Sequence, residues 1–443
     1  SSTGEEAQGV GVIPRNPDQS KHLETARMRL FDLWIDFVNL RCEDYCENSR
    51  IPTMEFGTAK EDAYRRDLTI NSLFYNINSG DIEDFTGRGL EDLQSGRIAT
   101  PLPPKSTFLD DPLRVLRAIR FGARFGFVLD EELKEAAASE EVKNALSAKI
   151  SKERIGTEID LMLSGNQPVK AVVLIADLTL FWVVFSFPHE VEPPVSEACQ
   201  RLCVAYLDAA WNLGHSIGSS SFSDDERRLY LYAALFLPFR STTYKDGKGK
   251  KIPVVNYIMK DSLKRKSSDS EMIIKIHASV EKFLKLIPLL TSDKDAQPTE
   301  ICRETEYLDV PLELKLRVVT GNLLREIKEF WRVALMMSTL LYKDTSDSKQ
   351  GSEDNQLLLD QRTDLFKSVD SAVRLQGLEN VWGVKPLVNG KEIMQVLQLK
   401  SGGPQVREWQ QKLMAWQLAH PTGTTEECID WMKEMHSKRI KVE

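Results

Sequence analysis

FLDDPLRVLRAIRFGARFGF, Phe108–Phe127, is the stretch on which the fold turns. Two adjacent aspartates precede a proline. Arg114, Arg117, Arg120 and Arg124 follow at helical spacing along one stripe, with Leu113, Leu116, Ile119 and Phe121 as apolar contacts. Asp111 before Pro112 predicts an N-cap with proline in the first helical position. Taken alone, this is a capped helix with a solvated basic face. The sequence on either side gives it more to do, because short strands and turns precede it and helices dominate after it.

Working back from this helix, ARMRLFDLWIDFVNLR, Ala26–Arg41, reads as two short strands around Phe31-Asp32. In the second, Trp34, Asp36, Val38 and Leu40 share a face, which leaves Asp36 as a carboxylate in an otherwise apolar strand. At a strand edge it reaches water; buried, it needs a partner or a metal. Thr53–Phe56 reads as a strand and Thr58–Glu61 as a capping box. Leu73–Phe85 is a hairpin turning at Asn78-Ser79-Gly80, and Thr86–Gly89 is a flexible spot before a short helix, Leu90–Ser95. Between these elements stands RRDLTIN, Arg65–Asn71. Paired arginines suit phosphate oxygens, being permanently charged and bidentate. Asp67 either orients an arginine or accepts from a sugar hydroxyl, and the plain alternative is a surface ion-pair cluster of slight energy.

Working forward, Ile150–Leu163 is an amphipathic helix opened by Ser151, and Asn166–Pro188 continues helical. Helices near Ser196–Asn212, Asp224–Leu237, Ser270–Leu290 and Glu313–Tyr342 follow. The lysine-rich Lys245–Lys251 and Lys260–Lys266 are solvated loops, and Asp344–Gln356 has the composition of a linker. Lys385–Ile393, KPLVNGKEI, leads into a helix, and Lys400–Pro404 is a turn before another that carries Trp409 and Trp416. The fold class is α+β, with strands confined to the N-terminal quarter. The segments are 1–103, 104–190, 191–355 and 356–443.

The chain has 443 residues and a net charge of −8. That excludes a generally basic nucleic-acid coat but not a local basic patch. No apolar run reaches membrane-spanning length. The six cysteines include two C-x3-C pairs without nearby histidine, which points to reduced thiols rather than zinc. The opening SSTGEEAQG has neither initiator methionine nor leader and reads as the inside of a larger protein.

Four segments together, in this order, resemble the class II tRNA nucleotidyltransferases, the CCA-adding enzymes. They are Arg65-Arg66-Asp67 with Asn71, Asp84–Leu93 with its glycines, Asp110-Asp111-x-x-Arg114 leading into the basic helix, and Ser151–Leu163; KPLVNGKEI resembles the family's tail. Ser20–Ala26 and Ile35–Arg41 resemble eukaryotic, plant-like members. The resemblance implies a nucleotidyltransferase (polymerase β-like) head with an antiparallel or mixed sheet, then an all-α neck, body and tail. It implies template-independent addition of C, C and A to tRNA 3′ ends from CTP and ATP, assisted by Mg²⁺. In the family a GG-x-V-R-D segment and a D-x-D pair lie upstream of this region, and the two aspartates of the pair hold the metals. Neither segment stands ahead of Asp36 in this sequence, so the head is expected to be N-terminally incomplete, with Asp36 at the position of the third acidic residue as catalytic group and metal ligand.

By the same resemblance Arg65, Arg66, Asp67 and Asn71 hold triphosphate and ribose, and Asp111 and Arg114 read the base with Asp110 in support. The chemistry fits. Cytosine and adenine both present an amine donor beside a ring-nitrogen acceptor; a carboxylate beside a guanidinium complements that edge and opposes uracil and guanine. Arg117 joins the nucleotide set and Arg120 and Arg124 the RNA-binding set. All three extend the basic path toward substrate phosphates or make interhelical ion pairs. Lys385, Lys391 and Lys400 contact the tRNA elbow. The partners implied are the tRNA 3′ end and elbow with CTP and ATP, without membrane or obligate protein partner. The address is cytoplasmic, or nuclear, mitochondrial or plastid if a leader precedes Ser1. The competing readings are a poly(A) polymerase-type relative and a non-catalytic tRNA-binding fragment.

Overall fold

The computed structural model describes residues 11–13, 25–30, 32–44, 53–218, 222–291, 298–342, 355–399 and 402–440. The chain divides into two compact units, residues 1–204 with 242–270 and residues 205–241 with 271–443. The first contains all of the stretches read as head and neck and the second all of the tail, while residues 191–355 contribute to both.

The first unit opens with an antiparallel sheet of β1 (Gly11–Ile13), β2 (Thr25–Leu30) and β3 (Leu33–Phe37). Arg27 faces Asp36 and Arg29 faces Trp34 across β2 and β3. The turn between them holds Asp32 at φ +62°, which aspartate tolerates better than most residues. These are the two expected strands; Phe31 lies outside the described residues. β4 (Arg41–Asp44) pairs with β5 (Thr53–Phe56). The capping box of α1 (Ala59–Tyr64) closes in both directions, Glu61 N donating to Thr58 Oγ1 at 3.3 Å and Thr58 N to Glu61 Oε2 at 2.7 Å. A 3₁₀ turn, Thr69–Asn71, leads to the hairpin of β6 (Phe74–Asn76) and β7 (Asp81–Glu83).

The next turn, expected as a flexible spot, is bridged by hydrogen bonds to one carboxylate. Asp84 gathers it, its Oδ1 accepting from Thr86 N, Thr86 Oγ1 and Gly87 N and its Oδ2 from Leu90 N. A Cβ on Gly89 would come within 2.8 Å of Thr69 O and Leu73 Cδ2. The glycine therefore permits close approach of α2 (Gly89–Ser95) to the turn after Arg65-Arg66, rather than supplying looseness.

β8 (Arg97–Ile98) pairs in parallel with β9 (Val128–Leu129), a two-residue strand that no sequence pattern announces. Between them run α3 (Pro104–Asp110) and α4 (Leu113–Phe125), so Asp111 is the joint between two helices. Pro112 occupies the N-cap position, a residue later than expected, and Asp111 Oδ1 still accepts from Leu113 N at 3.2 Å. α4 buries Leu113, Val115, Leu116, Ala118 and Ile119. α5 (Glu131–Ala138), α6 (Glu140–Lys149), α7 (Lys152–Leu163), α8 (Pro168–Asp177) and α9 (Phe181–Val184) follow, and α4 packs against both α7 and α8. The helix expected over Asn166–Pro188 is interrupted where Thr179 takes φ +57°. After β10 (Val191–Glu192), α10 (Cys199–Ser216) leaves this unit and α11 (Asp224–Leu235) lies in the second. The chain returns as β11 (Thr243–Lys245), β12 (Lys251–Pro253) and α12 (Val254–Tyr257). Lys245–Lys251 is the solvated loop expected, an exposed hairpin tip in which Asp246 Oδ1 accepts from Lys248 N and Lys250 N.

The second unit is helical: α11, α13 (Ser267–Leu290), α14 (Thr299–Glu304), α15 (Leu312–Ile327), α16 (Trp331–Leu341), α17 (Asn355–Leu375), α18 (Gly390–Val396), α19 (Pro404–Ala419) and α20 (Thr425–Ile440). Trp331, Tyr232, Phe236, Phe283 and Trp409 fill its core. The single helix expected over Glu313–Tyr342 divides at Lys328, which takes φ +57°. Of the expected linker, residues 344–354 lie outside the described residues, as does Lys400. Among the described residues no helix is long and apolar enough to cross a membrane.

Candidate functional site

The two arginines of RRDLTIN are fixed by a residue outside that motif. Asp62, in α1, is 2 % exposed. Its Oδ1 accepts from Arg65 Nε at 2.9 Å and Nη2 at 2.6 Å; its Oδ2 accepts from Arg66 Nε at 3.0 Å and Nη2 at 2.8 Å. The i,i+3 and i,i+4 spacing makes this possible. Arg66 Nη1 donates to Asn71 O at 2.7 Å, and its guanidinium lies 4.6 Å from the centre of the Phe74 ring. Burial pushes the Asp62 carboxyl up, but the hydrogen bonds and charges of Arg66 and Arg65 outweigh it and leave its pKa below the ordinary value. The carboxylate is therefore charged at neutral pH and holds two forks side by side.

Asp67 is the next node. It is buried, its Oδ1 accepting from Asn71 Nδ2 at 3.2 Å and its Oδ2 from Arg117 Nε at 2.7 Å. Of the two roles considered for Asp67, this geometry is that of a residue orienting an arginine. Glu158 of α7, also buried, takes Arg120 Nε at 2.6 Å and lies 3.9 Å from Arg117 Nη1. Arg117 and Arg120 thus make the interhelical ion pairs weighed against a phosphate path. Arg124 is different: it is exposed, sits 5.4 Å from the centre of the Phe125 ring, and has no carboxylate within salt-bridge reach among the described residues.

At the start of α4, Arg114 is 8 % exposed and its Nη2 donates to Arg65 O at 2.7 Å, tying this helix to the arginine pair. Asp111 Oδ2 accepts from Arg154 Nη2 at 2.8 Å. Arg154, in the first turn of α7, is a second guanidinium at the place where the sequence showed one. Burial raises the pKa of Asp110, and the charges of Arg114 and Lys149 pull it part of the way back. α7 is itself held from the far side. Gly156 leaves room for the Leu263 carbonyl where any Cβ would collide, and Arg265 Nη2 donates to Glu153 O at 3.4 Å and Thr157 Oγ1 at 3.3 Å.

Asp36 stands apart from this network. Its side chain is 61 % exposed and lies 3.1 Å from Arg27 Nε. Among the described residues no three His, Cys, Asp or Glu side chains come together as a metal-binding group, so Asp36 does not make a metal site with its described neighbours. Lys385 and Lys391, in the second unit, are exposed on a well-anchored stretch. Gln417 accepts from Leu387 N at 3.1 Å and donates to Lys385 O at 3.1 Å, while Asn389 and Glu392 form a capping box for α18.

Three residues of the network were not singled out in the sequence: Asp62, and Arg154 and Glu158 within the Ser151–Leu163 helix. Asp62 carried a signal, standing three and four residues before two arginines on a capped helix. Arg154 and Glu158 did not, because their partners are 43 and 38 residues away in sequence.

The model of the Poly A polymerase head domain matches residues 1–99. The Schizosaccharomyces pombe protein named tRNA nucleotidyltransferase cca2 is 34 % identical, the match covering 96 % of this chain and 81 % of the relative. The Saccharomyces cerevisiae mitochondrial CCA tRNA nucleotidyltransferase is 33 % identical, with 99 % and 80 % covered. The solved Bacillus stearothermophilus CCA-adding enzyme in complex with CTP shares the fold with a TM-score of 0.57 at 18 % identity, over 94 % of this chain and 82 % of that one.

Proposed function

This chain belongs to the CCA tRNA nucleotidyltransferases, and from that premise we propose that it completes tRNA 3′ ends by adding C, C and A from CTP and ATP, with the start of α4 choosing the base. The observation that carries the reading is the continuity of one network. Arg114, which reads the base, donates to the backbone of Arg65, which with Arg66 holds the triphosphate. Asp67 holds both Asn71 and Arg117, which places Asn71 beside the proposed ribose position and steadies Arg117. Base, sugar and phosphate groups of one nucleotide are then positioned by side chains that hold each other, which is what phosphoryl transfer asks of a protein. Asp111, with Asp110 behind it, offers the acceptor to the amine of cytosine or adenine, and Arg114 the donor to the ring nitrogen.

Nucleotidyltransferases of this family use divalent metal ions. Our reading makes the ion Mg²⁺ and Asp36 one of its ligands. One carboxylate beside Arg27 does not complete such a site, and the network around α4 contributes positioning and base choice. Arg124, Lys385, Lys391 and Lys400 contact RNA, the lysines at the tRNA elbow, where phosphate contacts position without reading sequence, while Arg120, paired with Glu158, steadies α4 against α7. The address is cytoplasmic, with mitochondrial, nuclear or plastid forms where a leader is present.

Incubating the full-length product with tRNA lacking CCA, plus CTP and ATP, and sequencing the products is the test. Ends in CCA are expected; long A tails or equal use of UTP overturn the reading. Within it, Arg114→Ala is expected to cut the preference for CTP over UTP on the order of 10²-fold while triphosphate affinity changes far less. Unchanged discrimination removes Arg114 from the base-reading role.

A further inference from the structure

We infer that a groove beside the C-terminal end of α4 is a stacking site for an unpaired nucleotide of the tRNA acceptor end. The inference rests on the reading of this chain as a CCA-adding enzyme. The groove encloses about 510 Å³ and is lined by Arg120, Arg124, Phe125, Leu161, Asn166 and Gln167, with small and apolar neighbours. Among the described residues no aspartate or glutamate lines it. That is notable in a chain of net charge −8. A groove of similar size in the second unit shows the contrast, with Glu300, Glu304 and Glu326 beside Lys282 and Lys285. Of the two, the groove at α4 has the charge that suits a polyanion.

Beside it runs an aromatic row, of which Phe125 lines the groove. The Phe121 and Phe125 rings are offset-stacked, with centroids 5.9 Å apart and planes at 17°, and Phe127 lies 5.6 Å beyond Phe125. Guanidinium groups flank the row, Arg120 at 4.4 Å from the centre of Phe121 and Arg124 at 5.4 Å from the centre of Phe125. Arg120 is committed to Glu158, but Arg124 is exposed and Phe125 is 47 % exposed. An exposed aromatic face beside an arginine without a carboxylate partner is how proteins hold single-stranded nucleic acid. The ring stacks on the base, and the cation meets the adjoining phosphate.

The third feature is placement. Arg114 and Arg124 are ten residues apart on α4, which is about 15 Å along the helix axis, and residues at i, i+3 and i+4 keep to one stripe. The groove therefore lies on the same helix as the proposed base-reading end, within reach of a strand whose last nucleotide is held there. The occupant argued for is an unpaired nucleotide of that strand, upstream of the hydroxyl that reacts. A free nucleoside triphosphate has the same stacking chemistry and is the other source to be distinguished.

The probe is a tRNA ending just before CCA whose unpaired last base is replaced by 2-aminopurine, titrated with wild-type protein and with Phe125→Leu, Phe125→Trp and Arg124→Gln. Quenching is expected with wild type and Phe125→Trp and lost with Phe125→Leu, which keeps the bulk but not the ring. In steady-state assays KM for tRNA is expected to rise on the order of tenfold in Phe125→Leu and less in Arg124→Gln, the range of one stacked base, with KM for CTP unchanged. Unfolding curves establish that the variants are folded; if Phe125→Leu is not, the Arg124→Gln and Phe125→Trp arms decide. Unaltered quenching and tRNA KM in Phe125→Leu overturn the site. So does quenching that saturating CTP abolishes, because the groove then holds free nucleotide. Normal CCA addition without quenching sinks only the groove. Quenching without any nucleotide addition sinks only the enzymatic reading.

Discussion

Asp36 and Asp62 are both aspartates facing arginine in the N-terminal part of the chain, and they are opposites in everything else. Asp36 is 61 % exposed and meets Arg27 through one contact. Such a pair contributes little to stability, since water and salt screen it and two mobile side chains must be held still. Asp62 is 2 % exposed and accepts four guanidinium hydrogen bonds from Arg65 and Arg66. Charge buried this completely is tolerated only where geometry and hydrogen bonding are good. On the proposed reading, Asp62 belongs to the scaffold that shapes a phosphate site, while Asp36 is left available for chemistry. The same residue type would then serve structure in one place and reaction in the other, with the surroundings deciding which.

The strongest way to break this comparison is to delete both carboxylates. Asp62→Ala is expected to lower unfolding free energy by about 3–5 kcal/mol, the cost of removing one side of a buried ion pair, and to abolish saturable CTP binding. Asp36→Ala is expected to stay within about 0.5 kcal/mol of wild type by urea denaturation while turnover collapses. Equal destabilisation by the two would show that exposure does not separate their roles. The pH dependence carries the same sign. The folded-state pKa of Asp62 is depressed, so its stabilisation is present above the ordinary carboxylate value and is lost as pH falls through the folded value. Asp62→Ala should show a flatter acid limb in unfolding midpoint against pH.

Glu158 sharpens the comparison within the neck. It is buried under Arg120, and Glu158→Gln keeps the shape while removing the charge. A drop of about 2 kcal/mol is expected in denaturant unfolding, together with reduced CTP-over-UTP preference, because α7 also carries Arg154 to Asp111. A stable variant with intact preference would mean that α7 does not position the base-reading end.

Much of this network was legible in the sequence and some could not have been. The D-x-x-R start of α4 and the arginine pair ahead of Asn71 stood out because each is local: charge, cap and spacing fall within a few residues. Asp62 was legible in principle for the same reason. Arg154 was not, because its partner comes from another helix and helical periodicity reports a face, not what covers that face. The breaks at Thr179 and Lys328 were hidden for a related reason. Both take positive φ, to which their side chains are indifferent or unsuited, so packing rather than local preference sets the break. In the turn at Thr86–Gly89 the two glycines do different work: Gly87 takes φ +69° with open space around it, and Gly89 permits close contact with Thr69 and Leu73.

Asp110 gives a smaller effect of opposite sign. Burial raises its pKa despite Arg114 and Lys149, so its charged form costs the folded state stability at neutral pH. Asp110→Asn is expected to raise the unfolding midpoint modestly at pH 7, with the advantage shrinking as pH falls through the raised folded value. It is also expected to weaken discrimination between CTP and UTP. A site that gains stability when its carboxylate is neutralised, and loses selectivity with it, holds that charge for function. A midpoint that falls instead would place Asp110 with Asp62 among the scaffold carboxylates.

The smallest effect is expected at the exposed cations of the second unit. Lys385 and Lys391 are held on a stretch that Gln417 and the Asn389–Glu392 capping box make rigid, yet their own side chains are exposed. Anchored backbone with solvated lysines suits contact with phosphates, where position matters and sequence is not read. Replacing both with alanine should leave CTP and ATP KM, base preference and unfolding midpoint unchanged. It should weaken tRNA binding uniformly across tRNA sequences and reduce the slope of log affinity against log salt by about 1 for each phosphate that is no longer neutralised. A changed base preference would join these lysines to the nucleotide site, and an unchanged salt slope would mean that they touch no RNA. Either result would move the boundary between buried charges that shape the site and exposed charges that meet its substrates.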